Sequence, residues 1–209
     1  MTMAGSEVEV LTIGHSTQSY EDFLRKLRGA RVTAVADVRS APFSRHFPHF
    51  NCEALKEELR TDNIAYVFLG DELGGRPKDK QFFCDGVADY EKMARTETFE
   101  KGLDRVIEGT RKYRIALMCS EHDPLDCHRC LLVGRALSEK GISLGHILGN
   151  GRVVSHGQIE SRLLEMAGRS DGDFFETPQE RLIKAYRDRA MKVAYAERNS
   201  SVEQRIPAE

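Results

Sequence analysis

Five short apolar runs rich in β-branched residues punctuate the chain: Val8 to Ile13, Val32 to Val38, Ile64 to Leu69, Ile115 to Met118 and Ile142 to Leu148. Stretches with helical periodicity separate most of them. Strands that are apolar on both faces must be covered on both faces, so this alternation predicts an α/β fold. The expected architecture is three-layer αβα, with a mainly parallel sheet of about five strands. Crossover helices are expected at Ser19 to Leu27 and at Asn51 to Arg60, the second capped by Asn51. Between the third and fourth strands lies an insertion, with loop signals at Leu73 to Lys80 and helical patterning from Val87 to Glu108. A helix is expected from Cys127 to Lys140, stopped by Gly141, and another from Ile159 to Met166. Ser170 to Asp173 is polar and linker-like. Thr177, Pro178 and Glu180 form a capping box ahead of a last amphipathic helix. The organisation expected is a family-like αβα domain over 1–170, then linker, C-terminal helical extension and frayed tail over 171–209.

Composition narrows the class. The 209 residues carry 31 Lys and Arg against 33 Asp and Glu, a net charge of -2, which removes bulk attraction to nucleic acid while leaving room for a local basic patch. No apolar run approaches the roughly 20 residues needed to cross a bilayer. The start, Met1 to Val10, lacks a basic stretch followed by an apolar core, so the expected location is the cytoplasm, with no membrane association. Five cysteines are too few and too irregular for a secreted disulfide scaffold. Gly74-Gly75 is not a P-loop and no GxGxxG follows the first strand, so no nucleotide cofactor is expected.

Ligands of open parallel sheets bind beyond the carboxyl ends of the strands, where loops diverge and helix N-termini point into the crevice. The least ordinary residues of this chain fall there. Candidate catalytic residues are His15, Asp37, Cys119, Cys127 and His128; candidate substrate-binding residues are Ser16, Arg39, Arg45, Arg76, Arg129 and His146. Cys127 at a helix start beside His128 and Arg129 has the setting that lowers a thiol pKa. Cys119, where the fourth strand gives way to its loop, is a second thiol, a resolving partner or a small buried residue. A Cys-x5-Arg phosphatase or sulfurtransferase loop would need Arg at position 125, which is Leu125. Cys119, His122, Cys127 and Cys130 are acceptable zinc donors, but their spacing is not that of a usual finger, and no metal is expected.

Arg39 to Asn51 has no acidic residue and interleaves Arg39, Arg45, His46 and His49 with Phe43, Phe47 and Phe50. Such a stretch suits phosphate and base stacking. Equally, the rings can fold the loop back onto the core while the charges stay solvated.

Taken in order, Thr12-Ile-Gly-His-Ser-Thr17, Asp37-Val-Arg-Ser-x-Pro42 with Ser44-Arg45, Leu73-Gly-Gly-Arg76, Cys119-x7-Cys127-His-Arg129 and Gly141-x4-His146-Ile resemble the Domain of Unknown Function 488 family over about Val10 to His156. The resemblance implies an αβα domain with no settled activity. It marks His15, Asp37, Arg39, Arg45, Arg76, Cys119, Cys127, His128, Arg129, His146 and, at its margin, His156. It requires neither His122 nor Cys130, and it does not reach the helix after Thr177.

The leading expectation is an enzyme acting on a phosphate-bearing substrate, a nucleotide or nucleic acid. Arg39, Arg45, Arg76 and Arg129 would clamp the anion, and His15 or Cys127 would do proton or nucleophile chemistry. The rivals are a non-catalytic nucleic-acid-binding module and a metal or thiol redox protein. The partners expected are an anionic small molecule or nucleic acid, and the last helix leaves open a homo-oligomer built through it.

Overall fold

The structure is a computed structural model and describes residues 8–170 and 175–197. Five of the expected runs form the strands β1 (Val10–Gly14), β2 (Ala34–Asp37), β3 (Ala65–Phe68), β6 (Ile115–Cys119) and β7 (Leu144–Ile147). The crossover and insertion elements are α1 (Tyr20–Gly29), α2 (Cys52–Thr61), α3 (Gly70–Leu73), β4 (Phe83–Cys84), β5 (Val87–Ala88), α4 (Tyr90–Met93) and α5 (Glu97–Thr110). After β6 come α6 (Arg135–Glu139), β8 (Val153–Ser155), α7 (His156–Met166) and α8 (Pro178–Val193). The main sheet has the order β3-β2-β6-β1-β7-β8, parallel except for β8, while β4 and β5 form a separate two-stranded ribbon.

Alternation along the strands divides the core. Leu11, Ile13, Val35, Ala116 and Met118 pack with Phe23, Leu27, Leu55 and Leu59 of α1 and α2. Val10, Ala34, Ala36, Ile115 and Leu117 pack with α5, the Leu131 to Leu137 segment and α7. These are the three layers that strands buried on both faces require.

Several expectations shift in detail. The sixth strand, β8, escapes the sequence because three residues hold too little pattern to separate from a loop; it returns antiparallel after a turn through Gly151, whose φ is 83°. Asn51 precedes α2 but does not cap it: its side chain accepts the Ser44 N–H at 2.6 Å and fastens the preceding loop instead. Val87 to Glu108 is not one helix, since Val87 and Ala88 pair with β4 before α4 and α5 begin. The helix expected from Cys127 starts one residue later and runs continuously from His128 to Glu139, but it is not α-helical throughout. Pro124–Asp126 is a 3-10 turn, Cys127 is extended, Arg129–Gly134 is π-helical, and only α6 is regular. The linker at 171–174 and the tail beyond 197 lie outside the described residues. Among the described residues no helix is long and apolar enough to cross a membrane.

The Thr177 to Glu180 capping box forms as the sequence indicates. From there α8 packs on α7 and on the 124–134 segment, burying Ala185 and Tyr186. A buried chain of hydrogen bonds fixes its position. Thr12 and His146 are register partners on β1 and β7, and Thr12 Oγ1 lies 2.8 Å from His146 Nδ1. His146 Nε2 lies 2.9 Å from His156 Nδ1, and His156 Nε2 lies 3.0 Å from the Tyr186 hydroxyl, which donates to Glu160. Since Tyr186 gives its proton to the carboxylate, each upstream bond has one consistent direction, with His156 Nε2–H and His146 Nε2–H as donors. Burial holds both imidazoles neutral, that of His156 down to about 4.

Tyr186→Phe removes the acceptor of His156 Nε2–H in this buried chain. An unpaired buried donor costs about 1–3 kcal/mol. Urea unfolding is expected to show a loss of that size; an unchanged midpoint would mean that α8 is not held this way.

Candidate functional site

The register aligns the carboxyl ends of three central strands, with Gly14 opposite Cys119 and Asp37 opposite Met118. The residues that follow therefore converge. They surround a cavity of about 120 Å³ whose lining includes Arg39, Ser40, Gly75, Arg76, Tyr90, Cys119, Glu121, Cys127 and His128, together with Val193 and Tyr195 from the end of α8.

Behind this lining stands a buried ion pair. Arg39 donates from Nε and Nη2 to the two carboxylate oxygens of Asp37, at 2.9 and 2.6 Å, in the bidentate geometry of guanidinium with carboxylate. Asp37 Oδ2 also accepts the Tyr66 hydroxyl. The remaining Arg39 nitrogen, Nη1, lies 3.2 Å from His15 Nε2, and His15 Nδ1 lies 2.9 Å from the Ser16 carbonyl. A guanidinium only donates and a carbonyl only accepts, so His15 is the neutral Nδ1–H tautomer with both ring nitrogens engaged. Burial first, then the Arg39 charge, push its pKa down to about 4. Phe50 stacks on the ring at 4.3 Å.

The thiols face each other across one carboxylate. Cys119 Sγ and Cys127 Sγ lie 3.0 and 2.9 Å from the same oxygen, Glu121 Oε2. His128 Nδ1 is 3.6 Å from the first sulfur and 3.9 Å from the second, while its Nε2 lies 2.8 Å from the Val38 carbonyl. The Arg129 backbone N–H reaches Cys127 Sγ at 3.4 Å. Burial raises the Cys119 thiol well above its ordinary value, helped by its bond to Cys127. For Cys127 burial pulls upward but is outweighed by the Cys119 hydrogen bond, the Arg129 charge and His128, leaving its thiol well below the ordinary value. Burial and the Cys127 charge raise Glu121.

The backbone makes room for this. A Cβ on Gly14 would fall 1.9 Å from the Glu121 carbonyl oxygen, and one on Gly75 would fall 2.6 Å from the His128 ring. Arg129 holds the loop by donating to the Glu121 and His122 carbonyls at 2.7 and 3.0 Å.

The expected site residues therefore divide. Arg39, Arg76, Cys119, Cys127 and His128 line the cavity. His15, Asp37 and Arg129 do not line it; they fix side chains and backbone that do. Ser16 is a left-handed turn residue with φ of 48° whose carbonyl receives His15. Arg45 is exposed and outside the lining, and His146 belongs to the buried chain that anchors α8. Of the loop aromatics, Phe50 is buried, Phe47 is partly buried and Phe43 remains 70% exposed. The zinc quartet weighed from sequence does not assemble. His122 is exposed beside Gly149, and Cys130 lies with His146 and His156. Glu121 and Tyr195 were missed. Glu121 has a visible signal, an acid two residues beyond Cys119; Tyr195 has none, because it arrives from the far end of the chain, its ring under the Arg76 guanidinium at 5.2 Å.

A family model described as "Domain of unknown function DUF488" matches residues 19–136. The match takes in Asp37, Arg39, Arg45, Arg76, Cys119, Cys127, His128 and Arg129 and leaves out His15 and His146. No curated protein and no solved structure matches the chain.

His15, facing Asp37, Arg39 and His49, supplies a pH test. Its pKa is about 4 when folded against 6.5 ordinarily, so the unfolded chain takes the proton first. The stability that this neutral ring contributes is complete above about pH 6.5 and is lost as the pH falls towards 4. Denaturant titrations at pH 7 and pH 4 are expected to show a smaller loss for His15→Asn than for the unaltered chain, by on the order of 3 kcal/mol at most. Equal losses would contradict the assignment.

Proposed function

Because the chain belongs to the DUF488 family, which is described only by its unknown function, its activity has to be read from the site, and we propose that it is an enzyme acting on a small phosphate-bearing substrate. The substrate lies in the cavity at the strand ends, and Cys119, Glu121, Cys127 and His128 form the reacting centre. The observation that carries this reading is the convergence of both thiols, a carboxyl, an imidazole and a solvent-facing guanidinium on one cavity.

Roles follow from who is already engaged. Arg39 spends three of its five N–H donors on Asp37 and His15, and Arg129 is buried with its terminal nitrogens turned onto backbone carbonyls, so both are largely committed to the protein itself. Arg76 is exposed, braced on the Tyr195 ring, and its backbone N–H is fixed by Ser40 Oγ at 2.9 Å. It is the guanidinium that receives the anion. His15, with both ring nitrogens used, positions Arg39. The reacting role falls to the cluster around Cys127, where two thiols, the Glu121 carboxyl and the His128 imidazole meet at the cavity. A nucleic-acid surface on the Arg39 to Asn51 loop has less support, since Phe50 and much of Phe47 are folded into the core.

Titration calorimetry with pyrophosphate tests the reading. Losing a charged hydrogen bond costs about 1.5–3 kcal/mol, so Arg76→Glu is expected to weaken binding roughly 10- to 100-fold. Arg45→Glu, off the cavity, is expected to leave it unchanged. A loss confined to the Arg45 variant would contradict the proposal and favour the loop as the binding surface.

A further inference from the structure

The four side chains around Cys127 have a second property that hydrogen bonding alone does not require. Their donor atoms, the Cys119 and Cys127 sulfurs, a Glu121 carboxylate oxygen and a His128 ring nitrogen, all lie within 4.8 Å of one another. Zinc bonds of about 2.0–2.3 Å to nitrogen, oxygen and sulfur define a tetrahedron with edges of about 3.3–3.8 Å. The two His128-to-sulfur separations, 3.6 and 3.9 Å, are already close to such edges. The two sulfur-to-Glu121 separations, 3.0 and 2.9 Å, are shorter, as hydrogen bonds are.

The imidazole is oriented for this task. His128 Nε2 faces the Val38 carbonyl at 2.8 Å, so Nε2 carries the proton and Nδ1 turns towards the two sulfurs. A backbone carbonyl taking the outer N–H is the support that a metal-bound histidine ordinarily has. Gly75 keeps the ring in place by leaving no side chain against it. Two thiolates and an imidazole are soft and borderline donors that suit zinc, which also accepts a carboxylate oxygen. The cavity beside the cluster supplies an entry path.

We infer that Cys119, Glu121, Cys127 and His128 bind a zinc-class divalent cation. The inference rests on the reading that this cavity is the functional site, and it names the ion on which that site depends. It also differs from the other group of candidate donors among the described residues, Cys130, His146 and His156. There the two imidazoles already spend their facing nitrogens on each other and their outer ones on Thr12 and Tyr186.

The test uses the full chain, reduced and stripped with a chelator, then titrated with Co(II) and with Zn(II). One equivalent of Co(II) is expected to produce a thiolate-to-cobalt charge-transfer band and the visible bands of tetrahedral cobalt, and Zn(II) is expected to displace both. Cys119→Ser, Cys127→Ser and His128→Ala should lose the charge-transfer band or weaken it, and Cys130→Ser should keep it. If those variants fold poorly by circular dichroism, the unaltered chain still decides. Zn(II) must shield Cys119 and Cys127, but not exposed Cys84, from iodoacetamide in mass mapping. Absence of both the band and the shielding overturns the inference, as does a band abolished only by Cys130→Ser. Metal binding without Arg76-dependent binding of pyrophosphate leaves the cation site standing and removes the proposed function; pyrophosphate binding without metal does the reverse.

Discussion

One carboxylate oxygen, Oε2 of Glu121, receives both the Cys119 and the Cys127 sulfur, and the arrangement of the site depends on it. It joins the last residue of β6 to the residue that leads into the 128–139 helical segment across a seven-residue loop. Two other constraints hold the oxygen there. Arg129 grips the carbonyls of Glu121 and His122, and Gly14, at the end of the neighbouring strand, has no side chain to push the loop away. The cluster is thus held by these contacts where it borders the cavity.

A buried group of opposing charges can persist only when its members are paired. Asp37 and Arg39 neutralise each other in good geometry, with Tyr66 and His15 taking the remaining positions. Around Cys127 the compensation is less complete: one sulfur is driven towards its thiolate, the other and Glu121 are driven towards their protonated forms, and His128 is pushed up. The first group is a frame whose charges already satisfy each other. The second holds unspent donor capacity beside a cavity, which is why the chemistry is placed there.

Much of this was legible in the sequence. The five β-branched runs gave the sheet, and the rule that ligands gather at carboxyl ends put His15, Arg39, Arg76, Cys119, Cys127 and His128 in one neighbourhood before any coordinates. Residue type alone could not say which way a side chain turns. Arg39 and Arg129 look like phosphate clamps until their partners are seen, and His146, one strand over, faces the buried chain that docks α8. The zinc quartet failed for a related reason. Cys127 is extended and stays outside the helical segment, whose first part is π-helical, so Cys130 lies with His146 and His156 and not with Cys127 as one α-helix would place it. The contribution of Val193 and Tyr195 was beyond reach, because nothing local marks the bridge between Ala196 and Val87 or the bond from the Ala88 N–H to the Tyr195 carbonyl.

The central claim is that two sulfurs eight positions apart face each other in one accessible cleft. Phenylarsine oxide tests it most directly, because arsenic bridges two adjacent thiols with loss of one water and does not hold on to a single one. Mass spectrometry of the reduced, metal-free chain is predicted to show one arsenical per molecule, attached to the Cys119 and Cys127 peptides and abolished by replacing either with serine. A chain that takes up no arsenical, or takes it up equally without Cys119 or Cys127, would contradict the account.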